Sequence, residues 1–171
     1  MMLNSKFMLS SDEITKAIRF SYELTEISFE RYKSRNIKVS KEKLINDNFI
    51  GKLAELYVYH YIRDNKRYAI TYPDFNLGFT NEKYIDLVSH NGKDKINIHV
   101  KCCRFDSNIK DSWLIEEKEI KNLTNNCYFA LCEFYSIDNI IIKKFIKASD
   151  VPFKEPKYNL PSKKAIYLAD L

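Results

Sequence analysis

The sequence predicts a mixed α/β fold: a central mixed β-sheet flanked by helices, with an N-terminal helical extension. Three observations lead there. Two stretches before Asp64 carry apolar residues at helical spacing. Residues 83–105 read as a β-hairpin. The last third holds short apolar runs of strand length.

Ser10-Ser11-Asp12-Glu13 opens the first helix, with Ser10 and Glu13 spaced as a capping box. The helix is expected to run to about Ser34. Its apolar stripe is Ile14, Ala17, Ile18, Tyr22, Leu24 or Thr25, and Phe29. Arg31 to Lys38 reads as a basic connection. Ser40, Lys41 and Glu42 open a second helical region, expected to break near Asn46-Asp47-Asn48. Phe49 to Arg63 follows as a helix, with Leu53, Ala54, Tyr57, Val58, Tyr61 and Ile62 on a wide apolar face. Lys52, Glu55, Tyr59 and Arg63 make the opposite stripe. Gly51 costs helix stability, which suggests that another backbone approaches closely there.

Tyr68 to Tyr72 is a short strand ended by Pro73-Asp74, and Phe75 to Glu82 is a loop. In the hairpin, Asn91-Gly92 supplies the tight turn. Ile96, Ile98 and Val100 alternate strictly with Asn97, His99 and Lys101. A two-residue loop sets Asp86 opposite Asn97, and a four-residue loop sets it opposite His99. In both registers Asp86 shares the face of His99 and Lys101. A carboxylate, an imidazole and an ammonium thus converge on one side of the hairpin. Asp106 to Trp113 is a polar connection, and Glu116 to Leu123 a short helix. Tyr128 to Tyr135 and Ile140 to Ile146 are strands, and Ala165 to Leu168 is expected to close the sheet.

The 171 residues suit one domain, with 1–47 as the helical extension and 48–171 as the core. A 45% hydrophobic and 14% aromatic content favours a packed fold over disorder. The net charge of +5 permits a polyanionic partner without demanding one. Cys102, Cys103, Cys127 and Cys132 include no CxxC pair, which argues against a zinc site and for reduced thiols in a cytoplasmic protein. No segment approaches the length of a membrane span.

GKLAE on a helix, then a strand, then IDLV, a turn and a strand ending in x-Lys resembles the PD-(D/E)xK nuclease superfamily. Restriction endonucleases and Holliday junction resolvases belong to it. The likeness covers roughly Gly51 to Lys101. It implies a restriction endonuclease-like fold and a metal-dependent DNA endonuclease, first of all of the type II restriction kind. It further implies Mg²⁺ or Mn²⁺, double-stranded DNA as substrate, and a homodimer. Carried over by position, Asp86 is the metal-binding Asp, Lys101 the catalytic Lys and Glu55 the helix carboxylate. His99 stands where the superfamily has Glu, Asp or Gln. It allows three readings: a ligand that biases metal choice, beside Asp86 and Glu55; a bystander to a metal held by Asp86, a backbone carbonyl and Glu55; or the mark of a domain that has lost catalysis. Lys52, Arg63, Arg104 and Lys110 are candidate DNA contacts, as is the basic stretch of Arg31, Lys33 and Arg35. The alternatives to a restriction-like enzyme are a catalytically inactive DNA-binding or protein-interaction module and a junction resolvase-like nuclease.

Overall fold

The first helix starts where the capping residues dictate. In the computed structural model, which describes residues 7–34, 38–66, 69–77, 85–92, 94–108, 111–158, 160 and 162–171, the Glu13 carboxylate accepts the Ser10 N–H at 2.9 Å. The Glu13 N–H donates in turn to Ser10 Oγ at 3.3 Å. Helix α1 runs Ser11–Ser34. Its buried side departs from the expected stripe. Ile18 and Tyr22 are exposed, and Ala17, Ser21 and Thr25, one turn apart, are buried. Small residues at that spacing let α1 approach α2 closely, and Asn48 Nδ2 donates to Thr25 Oγ1 at 3.0 Å between them.

Helix α2 is continuous over Lys41–Lys66. The break expected at Asn46-Asp47-Asn48 does not occur. Asn48 is occupied by Thr25, and Asp47 pairs with Lys43 one turn back. A boundary between residues 47 and 48 therefore falls inside a helix. Gly51 also departs from expectation: a Cβ added there would meet nothing within 4 Å. No backbone uses the space.

Among the described residues seven strands follow: β1 (Ala69–Ile70), β2 (Leu87–Asn91), β3 (Asp94–Arg104), β4 (Ser112–Glu116), β5 (Cys127–Ser136), β6 (Asn139–Lys147) and β7 (Lys163–Tyr167). The short helix α3 (Glu117–Ile120) lies between β4 and β5. The main sheet has the order β1-β2-β3-β5-β6, so the chain is a mixed α/β fold built on a five-stranded sheet. Only β3 and β5 run parallel within it. A parallel pair needs a long crossover. Here the crossover carries β4 and α3. The stretch expected to be a polar connection up to Trp113 thus enters a strand at Ser112. The C-terminal strand does not close the main sheet either: β7 pairs with β4 in a separate two-stranded sheet. The reason is apolar burial. Trp113 and Ile166 are fully covered, and the Trp113 indole N–H donates to the Cys132 carbonyl at 2.7 Å, fastening the small sheet to the large one.

The main sheet is consequently covered on both faces. On one, Leu53, Ala54, Val58 and their neighbours on α2 pack with Leu87, Ile98, Val100 and Ile142. On the other, Trp113, Ile115 and Ile166 pack with Phe129 and Leu131. The alternation of β3 sends Ile98 and Val100 to the first layer. His99, Lys101 and Cys103 go to the second, which is an interior and not the solvated polar face that an isolated hairpin would have. All four cysteines are free thiols. Among the described residues no helix is long and apolar enough to cross a membrane.

The open space at Gly51 sets the first expected outcome. Gly inside a helix costs about 0.5–1 kcal/mol relative to Ala, and nothing obstructs the added methyl. Gly51→Ala should raise stability by about that amount in a urea titration. A loss of stability would mean that the site is more crowded than the structure has it.

Candidate active site

Gly92, at φ +63°, allows the hairpin turn, and Asn91 pairs with Asp94. Of the two parity-compatible registers, the one that aligns Asp86 with His99 is adopted, since Leu87 pairs with Ile98, but not through the four-residue loop expected for it: Asn91 and Asp94 are paired strand residues, and Asn91 is not in the turn. Asp86 lies just before β2 and is pinned there. Its N–H donates to the Ile98 carbonyl at 3.1 Å, and its Oδ2 accepts the Val100 N–H at 2.6 Å. The side chain is thereby drawn against the backbone of β3.

Glu55 was expected on the outer stripe of its helix with Lys52, Tyr59 and Arg63. Instead, Lys52 is buried and Glu55 nearly so, with 6% and 13% of their side chains exposed. Lys52 Nζ donates to Glu55 Oε2 at 2.5 Å and to the Asp74 carbonyl at 2.8 Å. The ammonium sits over the Phe20 ring at 4.4 Å and the Phe75 ring at 5.3 Å. Lys52 is therefore an internal counter-ion and not the surface DNA contact anticipated from its position. The loop residue Asp74 contributes a carbonyl here, while its carboxylate accepts the Asn76 N–H.

The sheet and α2 bring Glu55, Asp86 and Lys101 into one electrostatic neighbourhood. Burial pushes the Glu55 carboxyl up to about 8; the Asp86 charge adds to that, while Lys52 and Lys101 oppose it. Burial also raises Asp86 above the ordinary range, against the pull of Lys101, the Val100 N–H, His99 and Lys52. Two carboxylates thus share a poorly solvated site with two ammonium groups.

Lys101 has a further partner that no sequence spacing announced. Glu119 on α3 is buried, and its Oε1 lies 2.7 Å from Lys101 Nζ. The same oxygen faces His99 Nδ1 at 3.3 Å, short of hydrogen-bond geometry. Burial works to raise the Glu119 carboxyl, but His99 and Lys101 overcome it and hold it below the ordinary value. His99 is 3% exposed and lies against the Phe129 ring at 5.4 Å. Burial acts to lower its imidazole, yet Glu119, Cys127 and Asp86 together raise it.

Lys101 keeps 23% of its side chain exposed. It opens on a groove of about 670 Å³, whose lining includes Asn46, Arg104, Asn108 and Lys163. Arg104 is paired with Asp106 at 2.9 Å and remains about half exposed. Arg63 is exposed and bound to its neighbour Asp64 at 2.6 Å; it is not among the groove residues. Lys110 and Arg35 lie outside the described residues. Arg31 and Lys33 belong to α1 and not to a connection.

The residues bear on a metal as follows. Among the described residues no group of three or more His, Cys, Asp or Glu side chains could hold an ion. The trio of Asp86, His99 and Glu55 is therefore not assembled, because His99 faces Glu119 in the second layer. What remains is a pair of carboxylates. That suits Mg²⁺, which is commonly held by one or two carboxylates, waters and substrate phosphates rather than by an all-protein cage. Comparisons with protein-family models, curated proteins and solved structures found no match to this chain.

The raised Glu55 carboxyl has a definite consequence for stability. The folded state holds a proton that the unfolded chain has released, from the ordinary value near 4.5 up to about 8. Stability from this group is present below that window and lost as pH rises through it. Glu55→Gln mimics the protonated form and lacks the titration. Thermal melts at pH 5 to 9 should show the variant gaining on the wild type as pH rises. A constant difference across the range would mean that Glu55 ionises at its ordinary value.

Proposed function

We propose that the chain is a metal-dependent DNA endonuclease of the PD-(D/E)xK type, acting on double-stranded DNA and most akin to a type II restriction endonuclease. One observation carries this reading: Glu55 from α2, Asp86 from the hairpin entry and Lys101 from β3 act on one another electrostatically, and Lys101 also lines a groove beside them whose lining does not include the two carboxylates. That combination answers what phosphodiester hydrolysis requires, an activated water and compensation for charge on phosphorus.

Asp86 and Glu55 would hold a Mg²⁺ or Mn²⁺ ion, which when bound lowers the pKa of a coordinated water and contacts phosphate oxygens. Asp86 is well suited to fixed placement, because the Val100 N–H immobilises one of its oxygens. Lys52 supplies the counter-charge that favours ionised Glu55. Lys101 brings an ammonium to the groove, where it stabilises negative charge developing on the phosphate. Arg104 and Lys163 line the same groove and would contact the backbone of the duplex. His99 takes no ligand role in this scheme. A homodimer would supply one site for each strand.

A second reading is a DNA-binding module without catalysis. It draws on the fact that Glu55 and Lys101 are both already engaged in ion pairs. The two are separated by incubating the purified chain with plasmid DNA in Mg²⁺ and then Mn²⁺. Discrete fragments support the enzyme, and a retarded but intact band supports the module. Asp86→Asn keeps an acceptor for the Val100 N–H, and Lys101→Gln keeps a polar group beside Glu119. Each should lower cleavage by about 100-fold or more with the circular dichroism spectrum retained. If Asp86→Asn cuts at the wild-type rate, Asp86 is not in the active site.

A further inference from the structure

The superfamily places an acid or amide two residues before its lysine, and here that strand position holds His99. The carboxylate is nevertheless present in space. Glu119 reaches the same layer from α3, 18 residues beyond Lys101 in the chain. Its Oε1 stands between Lys101 Nζ at 2.7 Å and His99 Nδ1 at 3.3 Å. The position is a built one. The Glu117 N–H, at the start of α3, donates to the Ser162 carbonyl at 3.0 Å. Ile120 and Leu123 pack into the core around Trp113 and Phe129. Glu119 is itself only 4% exposed, so it has little freedom to leave its partners.

We propose that Glu119 is a positioning residue for Lys101: it fixes the ammonium at the floor of the groove, with His99 as its second partner. This role rests on the nuclease reading of the site. It differs from that of a metal ligand. The contacts of Glu119 Oε1 are Lys101 Nζ at 2.7 Å and His99 Nδ1 at 3.3 Å, so its role is to hold the lysine and not an ion. A long, flexible lysine side chain in an open groove would sample many rotamers. An ion pair at its tip selects one, and misplacement by about 1 Å can cost about 100-fold in rate.

Glu119→Gln removes the charge while keeping the side chain's size, and Glu119→Asp keeps the charge but withdraws it by one methylene. The full chain and both variants are treated briefly with an acetylating reagent, and modification of Lys101 is followed by mass spectrometry. Loss of the ion pair should speed labelling of Lys101 by roughly tenfold in Glu119→Gln, with Glu119→Asp between. Equal labelling in all three proteins overturns the proposal. In plasmid cleavage, Glu119→Gln should lower kcat by about 100-fold with KM for DNA unchanged, and Glu119→Asp should recover part of it. A rise in KM alone would assign Glu119 to binding and overturn the positioning role. Should Glu119→Gln fail to fold, the Asp variant carries both measurements. If the wild type cuts no DNA with any divalent ion while Lys101 labelling still responds to Glu119, the nuclease reading fails and the tether stands.

Discussion

The structure depends on one constraint: β3 is covered on both faces, and it carries the polar His99 and Lys101 into that interior. A charge removed from water must find a counter-charge or be neutralised, a carboxylate by gaining a proton and an ammonium by losing one. Lys101 and His99 meet that demand through Glu119, and Asp86 through the Val100 N–H and Lys101. Lys52 and Glu55 meet it through each other. These contacts determine where each charged group stands.

The parallel pairing of β3 and β5 is what delivers Glu119. Because adjacent parallel strands need a crossover, the chain between them must travel across one face of the sheet. It does so with β4 and α3, held down by Trp113 and by the pairing of β4 with β7. The crossover thus has two effects. It builds the second hydrophobic layer, and it carries a carboxylate onto the polar row of β3. Helix α2, on the other layer, carries Glu55 and Lys52. The site gathers residues from both layers, which is why its members are widely separated in the chain.

This arrangement bears directly on the proposed chemistry. Glu55 and Asp86 are held in a site dry enough to resist ionisation, which is unfavourable for the free protein and favourable for capture of a cation. Lys101 lines the groove, and its ammonium lies 2.7 Å from the buried Glu119 carboxylate. His99 is packed against Phe129 and satisfies part of the charge on Glu119. In this setting an imidazole two residues before the lysine serves the interior of the fold.

Much of the frame was legible in the sequence because it rests on local chemistry. The Ser10–Glu13 cap, the positive-φ glycine of the hairpin turn and the period-two alternation from Ile96 to Lys101 each act within a few residues and appear as their patterns require, although Asn91, expected in that turn, belongs to the strand. The shared face of His99 and Lys101 followed from parity alone. Tertiary packing decided what local pattern left free. The small residues Ala17, Ser21 and Thr25 outranked larger apolar neighbours because close helix contact rewards a smooth face. Asn46 to Asn48 stayed helical because α1 gave Asn48 a partner. Lys52 and Glu55, polar by type and outward by helical spacing, were buried because each neutralises the other beneath Phe20 and Phe75. Glu119 could not be read in advance at all, since its meeting with Lys101 and His99 depends on the path of a crossover and not on any spacing along the chain.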